Sequence, residues 1–213
     1  RDGRGGGEVR GGVVVRRECG VGVVGAWGAW ASAQPRTSKT LGSYVVDVEG
    51  GNATLFVSPS GESRLIDAGN AGAAAVRDAD RIMAAIKDAG LTQIDHHITT
   101  HYHGDHFGGL SELAARVPIK EFIDHGPNVQ SAPAADEFMS KVYPALYAKA
   151  KHTVVKPGDR IAVSGLDVRI MTAGGQVTKT TVPGGGRANP YCAAFPPMDP
   201  DPTENAPSVG SHI

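Results

Sequence analysis

The run Thr100-His101-Tyr102-His103-Gly104-Asp105-His106-Phe107-Gly108-Gly109 constrains this chain more than anything else in it. It gathers three of the chain's 8 histidines and one carboxylate into six consecutive residues. Imidazole nitrogen and carboxylate oxygen are the donors that borderline divalent cations such as zinc prefer. The preceding residues, 94–100, are rich in β-branched side chains and predict a strand. On extended backbone, residues i and i+2 point the same way, so His101 and His103 can approach one ion together. Gly104 then permits a change of direction, and Asp105 and His106 face a second point nearby. Two adjacent donor pairs predict a two-metal site, in which the ions stand about 3.5–4 Å apart. The plainer alternative is a polar loop with solvated histidines, and the crowding of four donors argues against it.

The rest of the pattern gives that loop a frame. Residues 43–48 and 53–57 predict strands around a Gly50-Gly51-Asn52 turn, with a third strand over 63–67. A helix with Ile82, Met83 and Ile86 at helical spacing is expected from Asp78, as its cap, to Ala89, and Gly90 stops it. Strand 94–99 delivers the histidines. Residues 110–116 predict a short helix and 119–124 a strand. A helix over 134–150 carries Phe138, Val142 and Leu146 on one stripe, with Pro144 interrupting it. Strands follow at 152–155, 160–163 and 166–171, and this order predicts an α/β (α+β) sheet with helices packed on it. Residues 174–207 hold Gly184-Gly185-Gly186 and no periodic apolar face; they predict an ordered flap or a disordered tail.

The His-x-His-x-Asp-His motif at a strand end, followed by Gly-Gly and a helix, resembles the metallo-β-lactamase superfamily. The stretch 46–57 and the segment Ser63-Arg64-Leu65-Ile66-Asp67-Ala68-Gly69 resemble the family's opening strands, which end in an Ile-Asp-x-Gly turn beside the metals. The similarity runs over 41–173, with a fainter echo at Glu204-Asn205-Ala206-Pro207-Ser208-Val209-Gly210 that is similar to hydrolase domains of competence-type DNA-uptake proteins. The resemblance implies an αββα sandwich, or the first half of one, with residues 208–213 opening the next strand. It also implies that His101 and His103 hold a first zinc, while Asp105 and His106 hold a second. Other divalent metals would suit the same donors. Asp105 would also orient the attacking water as the catalytic group. Asp67 would orient a ligand histidine, although a plain turn aspartate reads the same way. His125 ends a strand on the site's side and is a candidate pocket residue or an ordinary loop histidine.

The other histidines read differently. Of His96 and His97, one faces inward, as a satisfied core or sheet-edge histidine; His152 and His212 carry no signal. The family's complete centre takes a further histidine, a bridging aspartate and a last histidine, for which this chain offers no match. The implied activity is hydrolysis of an ester, phosphodiester or amide by metal-activated water, with a small-molecule or phosphodiester substrate. A competence-type nuclease, a β-lactamase and a non-catalytic metal-binding fragment are the alternatives. Superfamily members with redox-active iron pairs usually place Glu where this chain has His103, which argues against that chemistry.

Composition limits partners and place. A chain of 213 residues suits one domain. Net charge is -1 and no Lys/Arg run occurs in the folded part, so nothing here draws in nucleic acid. Residues 1–12 are mostly Gly and Arg, a leader that would not pack. Residues 13–33 place Arg16-Arg17, the apolar run 21–30 and Ala31-Ser32-Ala33 in the order of a secretory signal peptide. The apolar run is too short to span a membrane. Export to the periplasm or beyond follows if that segment acts, and cytoplasmic residence if it does not. Cys192 would then be the mature chain's only cysteine, a free thiol. Half of a sandwich would leave strand edges and an apolar face open to self-association.

Overall fold

The computed structural model describes residues 40–196 and 198–213. The leader, the signal-like segment and Cys19 lie outside the described residues. The chain opens with β1 (Gly42–Val45), β2 (Thr54–Val57) and β3 (Ser63–Ile66), an antiparallel meander. It then alternates α1 (Ala75–Asp88), β4 (Ile94–Ile98), α2 (Gly104–Phe107), α3 (Leu110–Ala114), β5 (Ile119–Asp124), α4 (Pro133–Glu137), α5 (Tyr143–Tyr147) and β6 (Lys151–Val154). Strands β3 to β6 pair in parallel, so each link is a helical crossover and the helices pack on the sheet. The six strands lie in sequence order. A second, antiparallel sheet holds β7 (Arg160–Val163), β8 (Leu166–Ala173), β9 (Gln176–Val177) and β10 (Gly210–His212).

Two apolar cores join these layers. Ile82, Ala85 and Ile86 of α1, with Leu110 and Leu113 of α3, bury against Leu55, Leu65 and Phe122 of the large sheet. Ile98 and Ile123 on the opposite side meet Ile161, Val163, Val168 and Ile170 of the small sheet. Each such leucine, isoleucine, valine or phenylalanine stabilises the fold by roughly 1.5–3 kcal/mol. Strand β7 shows why the small sheet has an inside: Ile161 and Val163 are buried while Arg160 and Ala162 are exposed. The described layers run helices, sheet, sheet. No helix among the described residues is long and apolar enough to cross a membrane.

Three local expectations change. Helix α1 begins at Ala75, after a 3₁₀ turn over Gly72–Ala74, so Asp78 is not its cap. The Asp78 carboxylate is buried inside the first turn, where it accepts Asn70 N–H at 2.8 Å and holds the preceding loop. The helix expected over 134–150 is two short helices joined by a π-turn at Phe138–Val142. Pro144 supplies the cause: it lacks an N–H and crowds the preceding turn, so the ladder widens before it. Segment 178–203 is largely exposed, its 3₁₀ turn at Pro190–Cys192 included, but Glu204 and Val209 are buried and β10 rejoins β8.

All the site's segments leave from one edge of the large sheet. Asp67 follows β3, the histidine run follows β4 and His125 follows β5. Parallel strands bring their carboxyl ends together, which is where ligands of open α/β sheets bind.

Candidate metal centre

Asp67 organises this edge. It adopts φ 59°, a left-handed conformation that a non-glycine residue holds only where its surroundings enforce it. Its buried carboxylate receives Thr100 N–H on Oδ1 at 2.8 Å. On Oδ2 it receives the Thr100 hydroxyl at 2.8 Å, His106 Nδ1 at 2.8 Å and Asn52 Nδ2 at 3.0 Å. Backbone bonds clamp the histidine run to the turn after β3, with Ala68 N–H on His106 O at 2.7 Å and Gly108 N–H on Gly69 O at 3.0 Å. That clamp explains Gly108-Gly109. Neither residue turns the chain; both have helical dihedrals. A Cβ on Gly108 would lie 2.0 Å from Ala71 N, and one on Gly109 2.2 Å from Ala68 O. The glycines let two backbones touch.

The hydrogen bonds around the rings assign which nitrogens carry hydrogen. The Thr100 hydroxyl donates to Asp67, so its oxygen accepts from His101 Nδ1 at 3.0 Å. His101 Nε2 is left bare. Glu204 N–H, which can only donate, meets the Gln130 side-chain amide at 3.0 Å, so that atom is Oε1. The same Oε1 faces His103 Nε2 at 3.1 Å, which makes Nε2 a donor and leaves Nδ1 bare. The two bare atoms, His101 Nε2 and His103 Nδ1, face each other at 3.2 Å. On the neighbouring side, His106 gives Nδ1–H to Asp67, and its bare Nε2 stands 3.7 Å from Asp105 Oδ2. The rings of His101 and His106 are 4.0 Å apart, so the two pairs adjoin.

Facing lone pairs repel unless a cation lies between them. Two nitrogens bound tetrahedrally to one zinc at about 2.0–2.1 Å lie about 3.3 Å apart, close to the 3.2 Å seen for His101 and His103. The donors thus fit a divalent ion two by two. Among the described residues, no three His, Cys, Asp or Glu side chains group around one point that could hold a metal.

Electrostatics agrees with a neutral, ligand-ready ring at His101. Burial lowers its pKa to about 4, and the neighbouring His106 and His103 push the same way. His106 differs: burial pulls its pKa down, but the hydrogen bond and charge of Asp67, with Asp105, carry the net shift upward.

The candidates sort clearly by position. His101, His103, Asp105 and His106 come together at the strand end with Asp67 behind them. His125 faces inward instead of lining an open pocket: it is buried against the Tyr102 ring, and its Nε2 donates to Glu204 Oε1 at 2.7 Å. His96 and His97 are both buried. His152 carries an unexpected bond, 2.7 Å from Asp124 Oδ2, and stacks on Tyr147. Cys192 is an exposed free thiol. Sequence reading missed Thr100, Gln130 and Glu204 as supports. Thr100 stood at the head of the histidine run and Glu204 at the head of the echo at 204–210, while Gln130 left no trace.

The model of the metallo-β-lactamase superfamily matches residues 46–191, well over half of the chain. The chain belongs to that superfamily, and its layers of helices, sheet and sheet are consistent with the family's hydrolase-type αββα fold. Among solved structures it is similar to a subclass B3 metallo-β-lactamase isolated from a soil metagenome library, at 23% identity over 63% of this chain and 51% of that one, with a TM-score of 0.45. It is similar to a metallo-β-lactamase of Cronobacter sakazakii at 20% identity over 64% and 51% of the two chains, with a TM-score of 0.43. A mutant flavo di-iron protein from Thermotoga maritima matches at 22% identity over 62% and 28%, with a TM-score of 0.40. The chain spans about half the length of the solved β-lactamases it matches. No curated protein matches it.

Proposed function

We propose that this chain holds the metal-binding half of a hydrolytic centre and that zinc is its metal. In this reading His101 Nε2 and His103 Nδ1 hold one ion, and His106 Nε2 with Asp105 holds a second. The observation that carries it is the pair of bare ring nitrogens facing each other at 3.2 Å. A divalent ion there acidifies coordinated water to a pKa of about 7 and polarises the oxygen of an ester, amide or phosphodiester. Asp67 and Thr100 keep the bare nitrogens turned toward the ions, and the half-exposed Asp105 carboxylate is placed to orient water. Elemental analysis of the purified chain tests this. The parent is expected to carry zinc and His103→Ala to lose it. Full zinc content in His103→Ala would overturn the assignment.

A second reading is a metal-binding chain without turnover. It is favoured by the grouping in pairs, because catalytic zinc sites take three protein ligands. Chromogenic phosphodiester and β-lactam substrates separate the two: hydrolysis lost in His103→Ala supports the enzyme, and zinc binding without hydrolysis supports the alternative.

A further inference from the structure

Glu204 lies 102 positions beyond Tyr102 in sequence, yet its side chain is fully buried directly behind the histidine run. One carboxylate there accepts three donors. Oε1 takes His125 Nε2 at 2.7 Å and Tyr102 N–H at 3.3 Å, and Oε2 takes Val129 N–H at 2.9 Å. Tyr102 is the residue between His101 and His103, and Val129 precedes Gln130. Glu204 N–H then holds Gln130 Oε1, which receives His103 Nε2. One residue of the return segment thus fixes the backbone between two histidines, the loop after β5 and the amide that touches the second histidine.

We infer that Glu204 and Gln130 form a positioning latch that turns the bare Nδ1 of His103 toward His101, making the 203–209 segment a structural part of the metal centre. The inference rests on the zinc reading above. The logic is geometric. Among the described residues His103 hydrogen-bonds to no carboxylate, whereas His106 does; the His103 ring meets His101 on one side and Gln130 on the other. Remove that acceptor and the ring is free to rotate, presenting either nitrogen or neither. Gln130 itself is exposed on a loop, so it is held in place by what it bonds. Its amide meets Glu204 N–H, and its backbone N–H meets Asn128 Oδ1 at 3.0 Å.

Supports behind a metal-ligating histidine typically govern 10- to 100-fold in affinity. Gln130→Ala is therefore expected to weaken zinc binding by about 10- to 100-fold in chelator competition, with the thermal midpoint of the metal-free protein unchanged. Long-range proton–nitrogen spectra of the metal-free protein should show His103 as a single Nε2–H tautomer in the parent and an exchanging average in Gln130→Ala. Gln130→Glu keeps an acceptor oxygen and should restore both readouts. Glu204→Ala keeps the backbone N–H that meets Gln130 but releases the Tyr102 and Val129 N–H groups, so it should weaken zinc in the same direction. Unchanged affinity and an unchanged tautomer in Gln130→Ala would overturn the latch. His103→Ala serves as the control. If it loses zinc while Gln130→Ala does not, the latch alone fails; if it keeps zinc, the metal reading itself fails.

Discussion

Two clusters of histidine and carboxylate occupy opposite ends of the paired strands β3 and β4, and they behave differently. At the far end His96 lies between Glu121, whose Oε2 is 2.7 Å from Nδ1, and Glu62, whose Oε1 is 2.9 Å from Nε2. Both ring nitrogens are engaged. At the near end His101, His103 and His106 each have one nitrogen held by the protein and the other bare. Between the clusters, His97 is fully buried with neither nitrogen hydrogen-bonded among the described residues. The difference teaches what makes a histidine a ligand. Proximity to carboxylates is common to both ends. The near end supplies exactly one partner per ring, which orients it and leaves a lone pair free.

Breaking the near end should have the largest effect. Asp67→Ala removes the acceptor of four hydrogen bonds from a buried position and leaves Thr100, His106 and Asn52 donors without it. The expected loss is about 3–5 kcal/mol in urea denaturation, accompanied by reduced zinc stoichiometry. A loss below about 1 kcal/mol would show that Asp67 does not hold this edge together.

His97 tests the middle case through pH. Burial lowers its pKa to about 4, against the attraction of Asp67, so the fold keeps the ring neutral while the unfolded chain takes up a proton near pH 6.5. The unfolded state therefore binds more protons between those values. Stability is complete above about pH 6.5 and falls as pH drops toward about 4, by about 3 kcal/mol from this residue. His101 is lowered to about 4 and adds to the same window, so the single variant isolates the His97 share. His97→Leu should flatten the decline measured by denaturation from pH 7.5 to 4.5. An unaltered slope would mean that the ring is not held neutral in the core.

The near-end donors were readable because they are contiguous. His101, His103, Asp105 and His106 fall within six residues at the close of a strand, and Asp67 closes the neighbouring one. Local spacing reports such groups directly. It does not report contacts made by distant segments: Gln130 is 27 residues from His103, and Glu204 is 74 from Gln130. Neither carries a periodic signal, because each acts through individual hydrogen bonds and not through a face. Asp78 misled for the reverse reason. An aspartate ahead of an apolar run resembles a cap, but here Asn70 takes its carboxylate inside the helix's first turn. His125 misled because a strand end points toward a site without revealing that Glu204 covers it.

The smallest effect is expected at the far end, and it sharpens the contrast most. His96 links the sheets: Glu62 Oε2 also accepts Ser164 N–H at 2.6 Å from the turn between β7 and β8, while Glu121 lies on β5. Gln at position 96 has a single amide group to donate, so one carboxylate loses its histidine bond. Each keeps other partners, Ser164 for Glu62, and Thr153 and Lys151, both at 2.6 Å, for Glu121. No buried charge is therefore stranded. His96→Gln should cost about 1–2 kcal/mol in urea denaturation. Its zinc content should equal the parent's, since neither nitrogen of His96 is free to bind metal. Loss of zinc in His96→Gln would show that the far cluster governs the near one, and the distinction between a ring engaged once and a ring engaged twice would no longer separate ligand from support.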